Sequence, residues 1–229
     1  QGAQTPGMLA PWLVDDAARA TLDRWSDATG LDLERLGTTA DAEEIKDTAV
    51  TQPLVVATAL LAHGLLSARV ELPVSLVTAG HSVGELAAAA IAGVLTPDAA
   101  VALAAVRGRE MAAACALEPT GMSAVLGGNP DEVLARLEEL GLDPANRNGA
   151  GQVVAAGPHD ALARLAENPP TRARVMPLAV AGAFHTRFMA PAEQALGEHA
   201  ASVTPANPAT TFLSNADGAY AQARGHYSV

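Results

Sequence analysis

Apolar and polar positions along this chain fall into two kinds of block. Long blocks whose apolar residues return every three or four positions read as helices, and short apolar runs closed by small or turn-forming residues read as strands. On that basis Pro11 to Trp25 predicts an amphipathic helix and Leu31 to Leu36 a short one. Thr51-Gln52-Pro53 opens a strongly apolar helix to about Leu66, with Pro53 tolerated in the first turn. Leu72, Val74, Leu76 and Val77 form a short run ending at small residues, which predicts a buried strand. From Glu85 through Ala92, Leu, Ile and five Ala favour a helix closed by Gly93. Thr96-Pro97-Asp98 starts the next helix with an N-cap, a proline at N1 and an acid in the first turn.

From Thr120 the texture changes. Met122 to Leu126 reads as a strand, Pro130 to Leu140 as a helix, Gln152 to Ala156 as a strand, Asp160 to Ala166 as a helix and Arg174 to Val180 as a strand. This βαβαβ run has its own turns at Gly127-Gly128, Gly141 and Gly157-Pro158, which suggests a small inserted subdomain. Asn146-Arg147-Asn148-Gly149 sits in its middle loop, and asparagines before glycine are ordinarily turn formers. Beyond it lie a loop at Ala181 to Thr186, a helix from Pro191 to about His199, a linker at Pro205 to Pro208 and a strand at Thr210 to Leu213. Ala216 to Val229 carries no pattern, and the chain has no internal repeat, metal-ligand spacing, Walker loop or dinucleotide glycine fingerprint.

The chemistry centres on Gly80-His81-Ser82-Val83-Gly84, a G-x-S-x-G pentapeptide between the expected strand and the Ala-rich helix. Such a pentapeptide also occurs by chance. With a strand before and a helix after, it has the context of a nucleophile elbow, whose tight turn leaves no room for a side chain at Gly80 or Gly84. Ser82 would then project over a helix N-terminus, with the Val83 amide aimed at an oxyanion formed there.

On the helix that follows, Leu103, Arg107 and Met111 share a face by four-residue spacing, whereas Arg109 falls on the solvated side. Arg107 is thus a cation in an apolar stripe. Either it snorkels or pairs with a structural carboxylate, or its partner is a substrate anion that its planar fork can grip. Six histidines compete to serve the serine. His81 is its neighbour and points apart; His63, His159 and His199 lie on or beside helices; His226 is in the tail. His185 alone occupies a glycine-bearing loop after a buried strand, downstream of the serine, and is favoured as base. Asp217 and Glu193 are possible orienting carboxylates without a telling context, and a dyad steadied by a backbone carbonyl fits equally well.

Composition narrows the picture further. Across 229 residues, 49% are hydrophobic and only 3% aromatic, so the core is built from Ala, Val and Leu, which suits an α/β fold with helices packed closely on a parallel sheet. A net charge of -11 argues against nucleic-acid or anionic-membrane partners. The lone Cys115 forms no internal disulfide, which points to a reducing, cytoplasmic setting. No stretch is expected to reach the length of a membrane span. The opening Gln1 to Gly7 reads as the exit of a strand cut away, so residues ahead of Gln1 are expected.

Taken in order, these motifs resemble the malonyl-CoA:acyl carrier protein transacylases, the family that also supplies the acyltransferase domains of fatty-acid and polyketide synthases. The matching stretches are Gln1-Gly2-Ala3-Gln4 for GQGxQ, the GHSxGE elbow at Gly80 to Glu85, Arg107-Gly108, and Gly182-Ala183-Phe184-His185. Gln52-Pro53 and the Asn146 to Gln152 loop are similar too. The resemblance implies an α/β-hydrolase-like core with a parallel sheet and nucleophile elbow at 1–118 and 184–229, lacking the family's N-terminal strand and C-terminal part. It implies a ferredoxin-like subdomain at 119–183. Ser82 would be acylated, with His185 as base and then acid, and the amides of Gln1 and Val83 would form the oxyanion hole. Arg107 would bind the malonyl carboxylate, while Gln52, Asn146 and Asn148 would line the pocket or steady the catalytic residues. Phe184 beside the base is associated with malonyl rather than methylmalonyl.

The implied reaction is ping-pong transfer from malonyl-CoA to an acyl carrier protein by a cytoplasmic monomer, with no cofactor beyond those substrates. Arg172, Arg174 and Arg187 are candidates for a basic patch that receives the acidic carrier. Two rivals stand beside this reading: a thioesterase or esterase using the same elbow, and a non-catalytic module that binds carrier protein.

Overall fold

The computed structural model describes residues 2, 4–73, 75–149 and 151–216. They fall into two compact units, one within Gln1–Glu110 and Ala195–Val229 and the other within Met111–Gln194. The second unit is wider at both ends than the 119–183 expected from sequence, because the boundaries fall inside two helices rather than in loops.

In the first unit, a 3-10 turn at Ala10–Trp12 precedes α1 (Asp16–Thr29), so the helix expected from Pro11 starts later. Asp15 imposes that start by accepting a hydrogen bond from the Ala18 N–H at 2.8 Å. After α2 (Leu33–Thr38) and a 3-10 turn at Glu44–Lys46 comes α3 (Thr48–Ser67), which begins three residues before the expected Thr51. Asp47 is its cap, accepting from the Ala49 N–H at 2.8 Å. Pro53 therefore sits inside the helix and removes the donor that the Ala49 carbonyl would otherwise receive. At 20 residues and a mean hydropathy of 1.6, α3 is long and apolar enough to cross a membrane by length and composition, contrary to expectation. Its Leu54, Val56, Ala57, Leu60 and Leu61 are buried in a cluster with Leu22 and Trp25 of α1 and Leu33 and Leu36 of α2.

The parallel sheet of this unit pairs β1 (Val77–Ala79) with β6 (Thr211–Leu213), in register Thr78 to Phe212. The buried strand expected over Leu72 to Val77 is thus mostly coil. Among the described residues β1 is hydrogen-bonded to β6 alone, and Val77 is half exposed, so burial does not extend the run into a longer strand. Val74 lies outside the described residues. Behind the sheet, Phe212 packs against Ala88, Ala89 and Ala92 of α4 (Gly84–Ile91) or just past its end. α5 (Pro97–Cys115) follows, its first turn held by the Thr96 hydroxyl, which accepts from the Ala99 N–H as the sequence predicts.

The second unit contains β2 (Thr120–Gly127), α6 (Pro130–Glu139), β3 (Asp143–Arg147), β4 (Gln152–Pro158), α7 (His159–Glu167) and β5 (Ala173–Pro177), followed by α8 (Ala190–Ala200). The expected βαβαβ omits β3. The sheet is four-stranded in the order β3-β4-β2-β5, with every neighbouring pair antiparallel. β3 escapes sequence reading because Asp143-Pro144-Ala145-Asn146-Arg147 has no apolar alternation; its proline fits only an edge strand, and β4 supplies the pairing. One face is covered by α6 and α7, through Val125, Val153 and Ala155 against Val133, Leu137, Leu162 and Leu165. On the other face Met122, Val154 and Ala156 pack with Met111, Phe184 and Met189.

Candidate active site

The elbow is built from the backbone outward. Between β1 and α4 the chain turns so tightly that a Cβ on Gly80 would lie 2.0 Å from the Gly84 carbonyl oxygen, so only glycine fits at 80. At Gly84 a Cβ meets nothing within 4 Å, so the expectation that both glycines are needed for packing holds at the first alone. Ser82 takes φ +55°, left-handed backbone that a serine adopts only when its surroundings enforce it. Among the described residues three non-glycines have positive φ, namely Ser82, Arg172 and His185, two of which sequence reasoning selected as nucleophile and base. Val83 is the N-cap of α4, and its N–H belongs to the set that a helix leaves without an internal acceptor.

Arg107 reaches this turn from α5. Its Nη1 donates to Gln52 Oε1 at 2.6 Å, and its Nη2 donates to Ser82 Oγ at 3.2 Å. Gln52 is fully buried on α3. Neither structural reading of Arg107 holds: it does not snorkel, and no carboxylate lies within salt-bridge distance of it among the described residues. Burial lowers its pKa from the usual value, while the negative charge of Glu85 acts in the opposite sense. Gly108 explains why glycine follows the arginine. A Cβ there would sit 2.6 Å from the Thr48 carbonyl oxygen, so its absence lets α5 approach the start of α3 and brings Arg107 beside Gln52.

Sequence reasoning missed two residues at this site. Glu85, counted there as a helix former and as the last residue of the GHSxGE stretch but given no role, is 7% exposed, and its carboxylate accepts from Ser214 Oγ at 2.8 Å, Asn215 N at 3.1 Å and Asn215 Nδ2 at 2.5 Å. Asn215 Nδ2 also donates to the Gly80 carbonyl at 2.6 Å. The available signals were its place at the end of the GHSxGE stretch and its position as an acid inside an otherwise apolar, Ala-rich helix. A cavity of about 440 Å³ opens here, lined by Ala79, Gly80, His81, Leu213, Ser214 and Asn215. It lies at the carboxyl ends of parallel strands, where open α/β sheets bind ligands.

In the second unit, His185 is exposed with φ +59° in the loop between β5 and α8. Three side chains hold that loop. The Thr120 hydroxyl accepts from the buried Ala183 N–H at 3.1 Å, the Thr186 hydroxyl donates to the Ala183 carbonyl at 2.6 Å, and Arg187 Nη1 contacts both carboxylate oxygens of Asp143 at 2.9 and 2.7 Å. The Arg187 guanidinium also lies 4.7 Å from the Phe188 ring centre. Phe184 is buried in the sheet cluster. Asn146 falls within β3 rather than in a loop, where it pairs with Val154, and the Asn148 N–H donates to the Gln152 carbonyl at 3.0 Å across the hairpin.

Residues 1–225 match a family model described as an acyl transferase domain. The chain belongs to the acyl transferase family. The malonyl CoA-acyl carrier protein transacylase of Mycobacterium tuberculosis strain H37Rv is 62% identical over 219 residues, covering 95% of this chain and 72% of that protein. The protein of the same name from Escherichia coli K12 is 31% identical over 224 residues, covering 95% and 72%. Among solved structures, MCAT from M. tuberculosis superposes with a TM-score of 0.92 at 60% identity, covering 97% of this chain and 74% of that one. A type II PKS acyl-carrier protein in complex with its malonyl-transacylase gives a TM-score of 0.85 at 29% identity, covering 97% and 74%. The chain shares their α/β fold with a parallel sheet.

For this acyl transferase the remaining candidates resolve as follows. Gln1, Asp217 and His226 lie outside the described residues. His63 contacts Ser67 along α3, His199 contacts the Ala195 carbonyl along α8, and His159 opens α7. Arg172 and Arg174 are exposed beside and on β5, and Arg187 is engaged by Asp143. Burial pushes the Cys115 thiol up, which keeps it protonated and a poor rival to Ser82. Among the described residues no group of His, Cys, Asp and Glu is arranged to hold a metal ion.

Proposed function

We propose that this acyl transferase moves a malonyl group from coenzyme A to the phosphopantetheine thiol of an acyl carrier protein by a ping-pong route through malonyl-Ser82. Ser82 Oγ attacks the thioester carbonyl as its proton passes to His185. The C–S bond breaks, coenzyme A leaves with that proton, and an ester on Ser82 remains. The carrier's thiol then gives its proton to His185 and attacks the ester, and Ser82 regains its proton as its oxygen leaves. The Val83 amide serves the oxyanion in each half-reaction, with the Gln1 amide as second donor. Asn146 and Asn148 contact the acyl group or steady the catalytic residues, and Phe184 disfavours a branched acyl group.

The observation that carries this reading is Arg107, a half-buried guanidinium held by Gln52 with one nitrogen 3.2 Å from Ser82 Oγ and no carboxylate partner among the described residues. A simple ester substrate gives such a group nothing to bind, whereas the free carboxylate of a malonyl unit matches its fork. An acyl group lacking that carboxylate is penalised, because the site's polar group is then left without its partner. Names of relatives that share 62% identity support the same substrate.

In this reading the fold is an α/β-hydrolase-like core carrying a ferredoxin-like subdomain at 119–183. The order β-α-β-β-α-β in the second unit supports the subdomain, and the strand-elbow-helix at Ser82 supports the core. The enzyme acts as a cytoplasmic monomer without a cofactor of its own. The test is intact-mass analysis after mixing with malonyl-CoA. One malonyl adduct per chain, mapped to Ser82 and discharged by holo carrier protein, is expected. An adduct lost to water at the same rate with or without carrier identifies a thioesterase, and no adduct overturns the enzyme assignment.

A further inference from the structure

We propose that Glu85 and Asn215 form a brace that positions Ser82 for attack, a role that rests on reading Ser82 as the nucleophile. The turn bonds of the elbow, Gly84 N–H to His81 O at 3.0 Å and Glu85 N–H to Ser82 O at 2.9 Å, secure the arm that descends into α4. The Gly80 carbonyl, on the arm that ascends from β1, is held by Asn215. Two residues past the end of β6, this residue's single amide nitrogen donates to the Gly80 carbonyl at 2.6 Å and to Glu85 Oε2 at 2.5 Å. Both arms of the turn are thereby fastened to the strand that runs parallel to β1.

The choice of a carboxylate at 85 follows from the donors that converge on it. Ser214 O–H, Asn215 N–H and the Asn215 side-chain amide all point at this one buried group, and none of them is a cation. An ionised carboxylate is acceptor-only with room for all three, whereas glutamine would turn an amide N–H₂ toward an amide N–H₂. A buried charge satisfied only by neutral donors is costly, and an Ala-rich helix has no packing need for it. What it secures is a serine held at φ +55° within the turn it clamps. Its negative charge also favours the charged form of Arg107.

Labelling kinetics on the full chain separate positioning from folding, because the labelled fraction counts competent molecules while the rate constant reports the reactivity of each. Parent, Asn215→Ala, Asn215→Asp and Glu85→Gln are mixed with malonyl-CoA and, separately, with phenylmethylsulfonyl fluoride, a serine reagent that carries no carboxylate. Adducts are followed by intact mass. The brace predicts full labelled amplitude with rate constants lower by at least about tenfold for both reagents, the equivalent of roughly 1.4 kcal/mol. Parent-like rate constants overturn it, whether the amplitude is intact or reduced, and so does slowing confined to malonyl-CoA, which would place the effect at Arg107. If the parent itself takes no label at Ser82, it is the nucleophile reading that fails.

Discussion

A methyl group added at position 108 tests whether the close approach of α5 to α3 sets the position of the Arg107 guanidinium. In Gly108→Ala the new Cβ would lie 2.6 Å from the Thr48 carbonyl oxygen and 3.1 Å from the Ala49 Cα. Both are backbone atoms, so no side chain can swing aside. Ordinary contact begins at 3.4 Å, so the helices must part by about 0.8 Å, the difference between 3.4 and 2.6. Overpacking of this kind costs about 1–3 kcal/mol. Alanine in a helix returns up to about 1 kcal/mol relative to glycine. The balance is a destabilisation of up to about 2 kcal/mol, the reverse of what helix propensity alone predicts. The same 0.8 Å, added to the 2.6 Å bond from Arg107 Nη1 to Gln52, stretches it to about 3.4 Å, the edge of hydrogen bonding.

A hydrogen bond to a charged group is worth about 1.5–3 kcal/mol, so Ser82 malonylation should slow by roughly ten- to a hundredfold, and acylation by acetyl-CoA much less. Urea unfolding and intact-mass acylation rates read the two effects. The same substitution at Gly64 of α3, where a Cβ meets nothing within 4 Å, should instead stabilise by about 0.5–1 kcal/mol. If Gly108→Ala is as stable as Gly64→Ala and labels at the parent rate, the helix spacing does not set Arg107.

Arg107→Ala should reduce malonyl transfer by about a hundredfold or more while reducing acetyl transfer far less, and Arg107→Lys should fall between, since a point charge cannot serve Gln52 and a carboxylate together; equal losses for both acyl groups, measured as kcat/KM, would remove the clamp. Thr120→Val should cost about 1–3 kcal/mol by leaving the buried Ala183 N–H without its acceptor, with Thr120→Ser restoring most of it in urea unfolding. Unchanged stability in Thr120→Val would show that this bond does not hold the His185 loop.

What the amino-acid order determined by itself is whatever acts within a turn or two of helix or strand. Asp98 and Thr96 start α5, the Ala-rich run from 85 forms α4, and G-x-S-x-G marks the elbow, because caps, propensity and tight turns depend on near neighbours. Singling out Arg107 needed only the helical period, which exposed a cation among apolar positions. Its partners did not follow. Gln52 lies 55 positions away, and the backbone that excludes a side chain at Gly108 belongs to Thr48 and Ala49, so only the crossing of two helices decides where the guanidinium sits. β3 exists because β4 offers it an edge, against the grain of its own residues. Glu85 and Asn215, 130 positions apart, meet because β6 pairs in parallel with β1. Burial then turns a helix-forming acid into the group that closes the elbow; its apolar neighbours mark the position, whereas the donors it meets, Ser214 and Asn215, are supplied by the tertiary structure alone.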